Sequence, residues 1–213
     1  LAFGIVCALF SARSTGQGQV VDAAMVDGAA SLMSFFYGMF HSGFSTENRG
    51  ENMLDTGAHF YDVYKCSDGE YISIGSIEPQ FYAELVEKLE LDPDDFAEQH
   101  NQSRWPELKT KVAAVVATRT RDEWNAILEG SNVCYAPVLK VSEAVVHPHH
   151  VARGTFVESG GIVQPGPAPR LSGTPGAIRR PPPHEGQHTE ELLGELGLGA
   201  AEVAALRASG AVA

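Results

Sequence analysis

Basic residues are scarce in this chain of 213 residues: 15 Lys and Arg stand against 27 Asp and Glu, a formal net charge of −12, and no Lys/Arg cluster breaks that balance. Such a surface repels polyanions, so neither nucleic acid nor an anionic membrane is expected as a partner. Cysteine is scarcer still. Cys7, Cys66 and Cys134 are odd in number and widely spaced, which excludes a disulfide framework and offers no zinc pattern. A reducing, cytoplasmic setting follows, with no metal site expected. Long apolar runs are also missing. Leu1 to Phe10 is almost wholly apolar, but it is too short to span a bilayer and lacks the basic start of a secretory signal. It reads instead as the last three turns of a buried helix whose beginning is missing, and the chain as the C-terminal piece of a longer protein. Internal repeats are absent.

What is present describes a globular protein: 44% of residues are hydrophobic and 20% charged, which excludes disorder. The length suits one large domain or two small ones. The first helix is expected to stop at the Gly16/Gly18 turn, followed by a short strand over Gln19 to Asp22. The Gly-Gln-Gly here is no dinucleotide fingerprint, because it follows a helix and lacks the third glycine. Residues 23–41 read as one long helix, apolar on nearly every face and therefore buried in a core or a subunit interface. Asp22 is read as its N-cap rather than as a catalytic carboxylate. Ser42 to Asn52 is a loop.

Phe60 to Cys66, the turn Ser67-Asp68-Gly69, and Glu70 to Ile77 read as a β-hairpin. A helix over 79–90 follows, then a loop from Leu91 to Asp95. A helix opened by Ser103 turns Leu108, Val112, Val115 and Val116 to one side. Thr120-Arg-Asp-Glu123 is a capping box for the next helix, with Trp124, Ile127 and Leu128 inward. Val133 to Leu139 reads as a strand, and Ser142 starts a short helix. Residues 58–153 thus read as a compact α+β domain. Residues 154–186 read as an extended linker, since seven of the twelve prolines fall between Gln164 and Pro183. Two short helices, from Thr189 and from about Ala200, end the chain within 187–213.

Glu78 draws attention within this pattern. Residues 71–77 alternate as a half-buried strand, and Pro79 then starts a helix with Phe81, Leu85 and Leu89 on one face. Glu78 therefore sits at a strand–helix junction, where Ser, Thr, Asp or Asn is usual. One reading is a solvated first-turn residue. The other is an ionised carboxylate, held at the positive end of a helix and suited to a proton-carrying partner such as an imidazole. Tyr61 lies on the hairpin, its hydroxyl either buried and bonded or available. Cys66 and Cys134 read as inert core thiols. His147-Pro-His-His150 reads as a surface helix turn rather than a metal site.

Five stretches carry a resemblance: Thr15-Gly-Gln-Gly-Gln-Val-Val-Asp-Ala, Asn52-Met-Leu-Asp-Thr-Gly-Ala-His-Phe-Tyr61, Gly75-Ser-Ile-Glu-Pro-Gln-Phe-Tyr82, Trp105-Pro-Glu-Leu-Lys and Ala136-Pro-Val-Leu. Together they resemble the C-terminal half to three-fifths of the α-methylacyl-CoA racemases, within the family III CoA-transferase superfamily. Asn-Met-Leu-Asp and Ile-Glu-Pro-Gln-Phe are specific to the racemase branch, and Thr-Gly-x-Gly-Gln is shared more widely. The resemblance implies an α/β fold: a small α+β domain, a long connecting helix over 23–57 with its loop, and part of a Rossmann-like large domain in 1–22, to which 187–213 returns. It implies an interlocked homodimer acting on 2-methylacyl-CoA thioesters by removal and return of the α-proton, with no metal or redox cofactor. By motif Glu78 is the catalytic Glu that assists a His, and Tyr61 lines the acyl site. The family's His and Asp, and the clamp for the CoA phosphates, lie upstream of Leu1. His59 stands where a Pro is usual and is not that His. A family III CoA-transferase, or an inactive dimerisation and acyl-site module, is the alternative.

Overall fold

The alternation of apolar and polar residues between Phe60 and Ile77 folds as an antiparallel pair, β1 (Tyr61–Lys65) and β2 (Tyr71–Gly75), in the register Tyr61↔Gly75 to Lys65↔Tyr71. This is a computed structural model, and it describes residues 1–212. Gly69 closes the hairpin with φ 86°, a conformation that costs glycine nothing. Asp68 does two things in that turn. One carboxylate oxygen accepts from Glu70 N at 3.1 Å, and the other accepts from Arg121 N at 3.0 Å, so the turn also caps a helix far along the chain.

A third strand, β3 (Tyr135–Val138), pairs antiparallel with the other side of β2, giving the order β1-β2-β3. Period-two alternation sends Tyr64, Ile72 and Ile74 to one face. There they join one buried cluster with residues of α4 (Pro79–Lys88), α5 (Trp105–Val116) and α6 (Arg121–Leu128). Tyr82, Leu85 and Val86 come from α4, Leu108, Val112 and Val116 from α5, Trp124 and Leu128 from α6. Both indoles are buried with their N–H satisfied: Trp105 donates to Gln99 O at 2.8 Å and Trp124 to Val116 O at 2.9 Å. The other face of the sheet, with Tyr61, Val63, Tyr71 and Val138, stays open.

The capping box forms as read. Thr120 Oγ1 accepts from Glu123 N at 3.2 Å, and Glu123 Oε2 accepts from Thr120 N at 2.8 Å. Thr120→Ala is expected to cost about 1 kcal/mol in a denaturant titration, the usual value of such a cap. α5 begins differently. A 3₁₀ turn over Gln102–Arg104 precedes it, capped by Asn101, whose Oδ1 accepts from Ser103 N at 3.2 Å; the N-cap of α5 itself is Arg104, not Ser103, and makes no side-chain cap bond.

The first forty residues depart from expectation in four respects. α1 (Ala2–Thr15) ends at a left-handed Gly16 as read, but it has no buried residue. Residues 19–22 are not a strand, because no neighbouring strand supplies a ladder there among the described residues. Ala24, not Asp22, is the N-cap of the following helix, and no side chain caps it. The long helix is split into α2 (Met25–Leu32) and α3 (Ser34–His41). Ser34 Oγ donates to Ser31 O at 2.7 Å at the split, a side-chain bond that competes with the helical ladder. Neither half has a buried residue, so within this chain the two halves form no core.

A second compact unit begins at Leu139. It holds α7 (Val141–Val146), α8 (Pro148–Arg153), the hairpin β4 (Phe156–Ser159) and β5 (Ile162–Pro165), α9 (Thr189–Glu195) and α10 (Ala200–Ala208). The hairpin corrects the reading of 154–186 as wholly extended linker. Gly160 and Gly161, at φ 62° and 77°, form the two-residue turn that suits paired strands. Residues 166–188 contain no helix or strand. Arg207 ties α10 to α9 through Glu190 at 2.6 Å. No helix among the described residues is long and apolar enough to cross a membrane.

Candidate functional site

Glu78 is the N-cap residue of α4, with extended φ −71° and ψ 141°. Its backbone carbonyl accepts from Phe81 N at 3.0 Å and Tyr82 N at 2.9 Å. Its side chain forms no cap bond and is exposed. A short Asp or Ser here turns back onto the free N–H groups; the longer Glu leaves its carboxylate outside, beside the positive helix end.

The junction beneath it is held on every side. Ser76 is buried, donates Oγ–H to Val133 O at 2.7 Å, and gives its N–H to Phe60 O at 3.0 Å. Gln99 Nε2 donates to both Ser76 O (3.0 Å) and Ile77 O (2.8 Å). Gln99 is itself fixed, because its carbonyl takes the Trp105 indole N–H. Sequence reasoning missed Gln99. It lies in a loop with no periodicity, and only tertiary contact brings it to the two carbonyls that precede Glu78.

One turn into α4, Tyr82 completes the support. Its hydroxyl donates to Phe96 O at 3.0 Å and lies 2.7 Å from His59 Nε2. A carbonyl can only accept, so the single hydroxyl proton goes to Phe96. His59 must then donate from Nε2, leaving Nδ1 as a bare acceptor. His59 is 0% exposed, and Nδ1 has no partner among the described residues. Burial, with lesser contributions from the Arg104 and His100 charges, pushes its pKa from 6.5 down to about 4. His59 is thus a neutral core residue that no substrate reaches.

Tyr61 is placed otherwise than a buried, bonded phenol. It is 36% exposed, and its hydroxyl has no hydrogen-bond partner among the described residues. It borders a cleft of about 390 Å³ with Thr56, Asp62, Ser73, Gly75 and Cys134. Lys109 pairs with Asp62 and also donates to Thr56 O, so the charge on this wall is neutralised. Thr56 and Cys134 hold φ 75° and 50°, unusual for residues with a side chain. Cys134 is exposed, which corrects its reading as a core thiol: it points outward between Val133 and Tyr135, both of which pack on the core. Cys66 is buried as read, and burial raises its thiol to about 11. Glu78 does not line the cleft; it lies three residues beyond Gly75, about 10 Å along an extended chain.

The Asn52-Met-Leu-Asp55 stretch closes on itself. Asn52 N and Nδ2 donate to the two Asp55 oxygens at 2.7 and 2.8 Å, while Asn52 Oδ1 accepts from Thr46 N at 2.8 Å. Gly57 packs so tightly on this loop that a Cβ would stand 2.5 Å from the Glu51 carbonyl carbon. The loop therefore presents Thr56 to the cleft in one conformation. In the second unit, His150 Nδ1 donates to Ala144 O at 2.6 Å, and Pro148 occupies the first turn of α8. Among the described residues, no group of three His, Cys, Asp or Glu side chains is arranged to hold a metal.

Comparison with known proteins agrees with this arrangement. Residues 1–189 match the family described as CoA-transferase family III. The chain is 44% identical over 205 residues to the alpha-methylacyl-CoA racemase of Homo sapiens, covering 95% of this chain and 53% of that protein. It is 28% identical over 218 residues to the succinyl-CoA–D-citramalate CoA-transferase of Chloroflexus aurantiacus, covering 97% and 54%. A crystal structure of a CAIB/BAIF family protein from Brucella suis superposes with a TM-score of 0.70 at 21% identity, over 91% of this chain and 52% of that one. The chain spans about half the length of the curated relatives it matches. With residues 1–189 matched and the small sheet, its helices and the Glu78 junction in place, the chain belongs to the CoA-transferase family III.

Proposed function

We propose that the full-length protein racemises 2-methylacyl-CoA thioesters by 1,1-proton transfer at the α-carbon. Glu78 carries the reading: an exposed carboxylate, uncommitted to its own helix, on a junction fixed by Ser76 and Gln99. The similarity to proteins named alpha-methylacyl-CoA racemase supports it. The thioester carbonyl acidifies the α-proton. A base on one face removes it and an acid on the other returns one, which inverts the centre. In this reading an imidazole and a carboxylic acid supplied by residues outside this chain do the transfer. Glu78 accepts the imidazole's second N–H, fixes its tautomer and stabilises it when protonated. Tyr61 borders the acyl group, no metal or redox cofactor takes part, and the CoA phosphates are held elsewhere, since this chain offers no cluster of basic residues.

The test is α-proton exchange in deuterated water, on each enantiomer of a 2-methylacyl-CoA with the full-length protein. Exchange of both enantiomers is expected. No exchange, with CoA instead passing to an acceptor carboxylate, would establish the transferase alternative that the similarity to the Chloroflexus enzyme keeps in play.

The same reading makes the protein an interlocked homodimer, with residues 1–22 belonging to a large domain, 23–57 connecting it to the small domain, and 187–213 returning to it. The support is the bare apolar surface of α1 to α3, where Phe3, Phe10, Met25, Leu32 and Phe35 are all exposed. Covering helices of this kind takes an interface on the order of 2,000 Å² or more. Sedimentation of the full-length protein at micromolar concentration is expected to give a dimer. A monodisperse monomer would overturn this part.

A further inference from the structure

Gly75 is a glycine the fold does not need. Its φ is not in the left-handed region, so the backbone accepts any residue. A Cβ built there would stand 3.5 Å from Tyr61 Cε2, 3.6 Å from Tyr61 Cδ2 and 3.8 Å from Cys134 Cβ, all ordinary van der Waals contacts. Alanine would therefore fit without displacing anything. Glycine inside a strand weakens it through lost backbone entropy and missing packing. A glycine inside a strand often marks a bulge or a site where a ligand or another backbone comes close, and the nearest atoms here are side-chain atoms, not backbone.

The sheet register shows where that space lies. Tyr61 is the cross-strand partner of Gly75. On the other side Tyr135 pairs with Ile74, so Cys134 is next to Gly75. Tyr61, Gly75 and Cys134 thus form one row across the open face, large on one side and hollow at the centre. The hollow is the floor of the 390 Å³ cleft. The cleft is bordered by the Tyr61 ring, Val63 and Cys134, with Thr56 and Ser73 as uncharged polar neighbours, and among the described residues lining it the one carboxylate, Asp62, is paired with Lys109. An uncharged aliphatic group suits these walls; a charged one does not.

We propose that Gly75 is a specificity-determining residue: its missing side chain leaves the hollow between Tyr61 and Cys134 in which an aliphatic portion of the acyl group lies, so the residue at 75 sets how bulky that portion is allowed to be. The inference rests on the acyl-CoA reading above and adds a determinant to it.

The test compares Gly75→Ala, Gly75→Val and Tyr61→Ala with the parent in the full-length protein. Thermal midpoints are measured together with kcat and KM for a short (2-methylbutyryl) and a long (2-methyldecanoyl) CoA thioester. Gly75→Ala is expected to raise Tm slightly and to change the long-to-short ratio of kcat/KM by about tenfold or more against the bulkier acyl group, the effect of about one methylene in an apolar pocket. The change should lie chiefly in KM, and Gly75→Val should extend it. Tyr61→Ala, which widens the hollow, should move the ratio the opposite way. A fall in Tm for Gly75→Ala, or an unchanged ratio in both Gly75 variants while the parent exchanges α-protons, overturns the inference and leaves the racemase reading standing. Absence of exchange in the parent overturns both.

Discussion

Glu78→Gln in the full-length protein is expected to lower kcat by about 10²–10⁴-fold, by analogy with the loss seen when the carboxylate that orients a catalytic imidazole becomes an amide. The side chain keeps its size and stays where the strand ends and α4 begins. What disappears is the charge. An imidazole that has just taken a proton is stabilised by a carboxylate and not by an amide, so the loss should fall on kcat more than on KM. Stability should change by less than about 1 kcal/mol. The Glu78 side chain neither caps its helix nor packs in the core, and the bonds that fix the junction belong to Ser76, Gln99 and the backbone. If Glu78 were only a solvated first-turn residue, turnover would be near normal. A kcat within threefold of the parent would remove Glu78 from the mechanism.

A second large effect is expected from acid. His59 is neutral in the folded protein because burial among Phe60, Tyr82 and Phe96 excludes the charged form, and the Arg104 and His100 charges add to this. Its folded pKa of about 4 lies below the unfolded 6.5, so between these values the unfolded chain binds the additional proton. Stability from this residue is therefore complete above pH 6.5 and is lost as pH falls toward 4, by about 3 kcal/mol at most. Protonation would also turn Nδ1 into a buried donor with nothing to receive it among the described residues, while the Nε2–H bond to Tyr82 stays as it is. Urea unfolding at pH 7 and at pH 4.5 should show the loss. In His59→Gln, whose amide still donates toward Tyr82, this part of the pH dependence should vanish. Equal pH dependence in the parent and the variant would place the acid sensitivity elsewhere.

The roles of Glu78 and His59 were unequally visible in the sequence. Glu78 was legible because local rules decide it: strand alternation, a proline at the first helical position, and an acidic residue where a shorter one is usual. The hairpin, its Asp68-Gly69 turn and the Thr120–Glu123 capping box were legible for the same reason. Each depends on residues within a few positions of one another, so the physical cause is contained in the stretch that is read.

Elsewhere the deciding contacts were distant in the chain. Asp22 has the side chain of an N-cap, but the helix begins two residues later, at Ala24, where nothing in the local pattern marks a start. Cys134 stands on the outward side of the alternation that Val133 begins, and only the pairing of β2 with β3 shows that this side of the sheet is open. The prolines after Gln164 read as linker, whereas β4 and β5 just ahead of most of them pair and so satisfy more backbone groups than an extended chain would. His59 showed a histidine in place of a proline, and only packing against Tyr82 revealed its tautomer and its depressed pKa.

The sequence by itself determined the elements of the α+β domain, the junction that holds Glu78 and the family resemblance, because helix starts, turns and strand alternation are local. Tertiary structure alone decided that Gln99 clamps that junction, that Tyr61, Gly75 and Cys134 form one row, and that α1 to α3 remain uncovered. Those facts depend on pairing and packing between residues tens of positions apart, where no local propensity reaches.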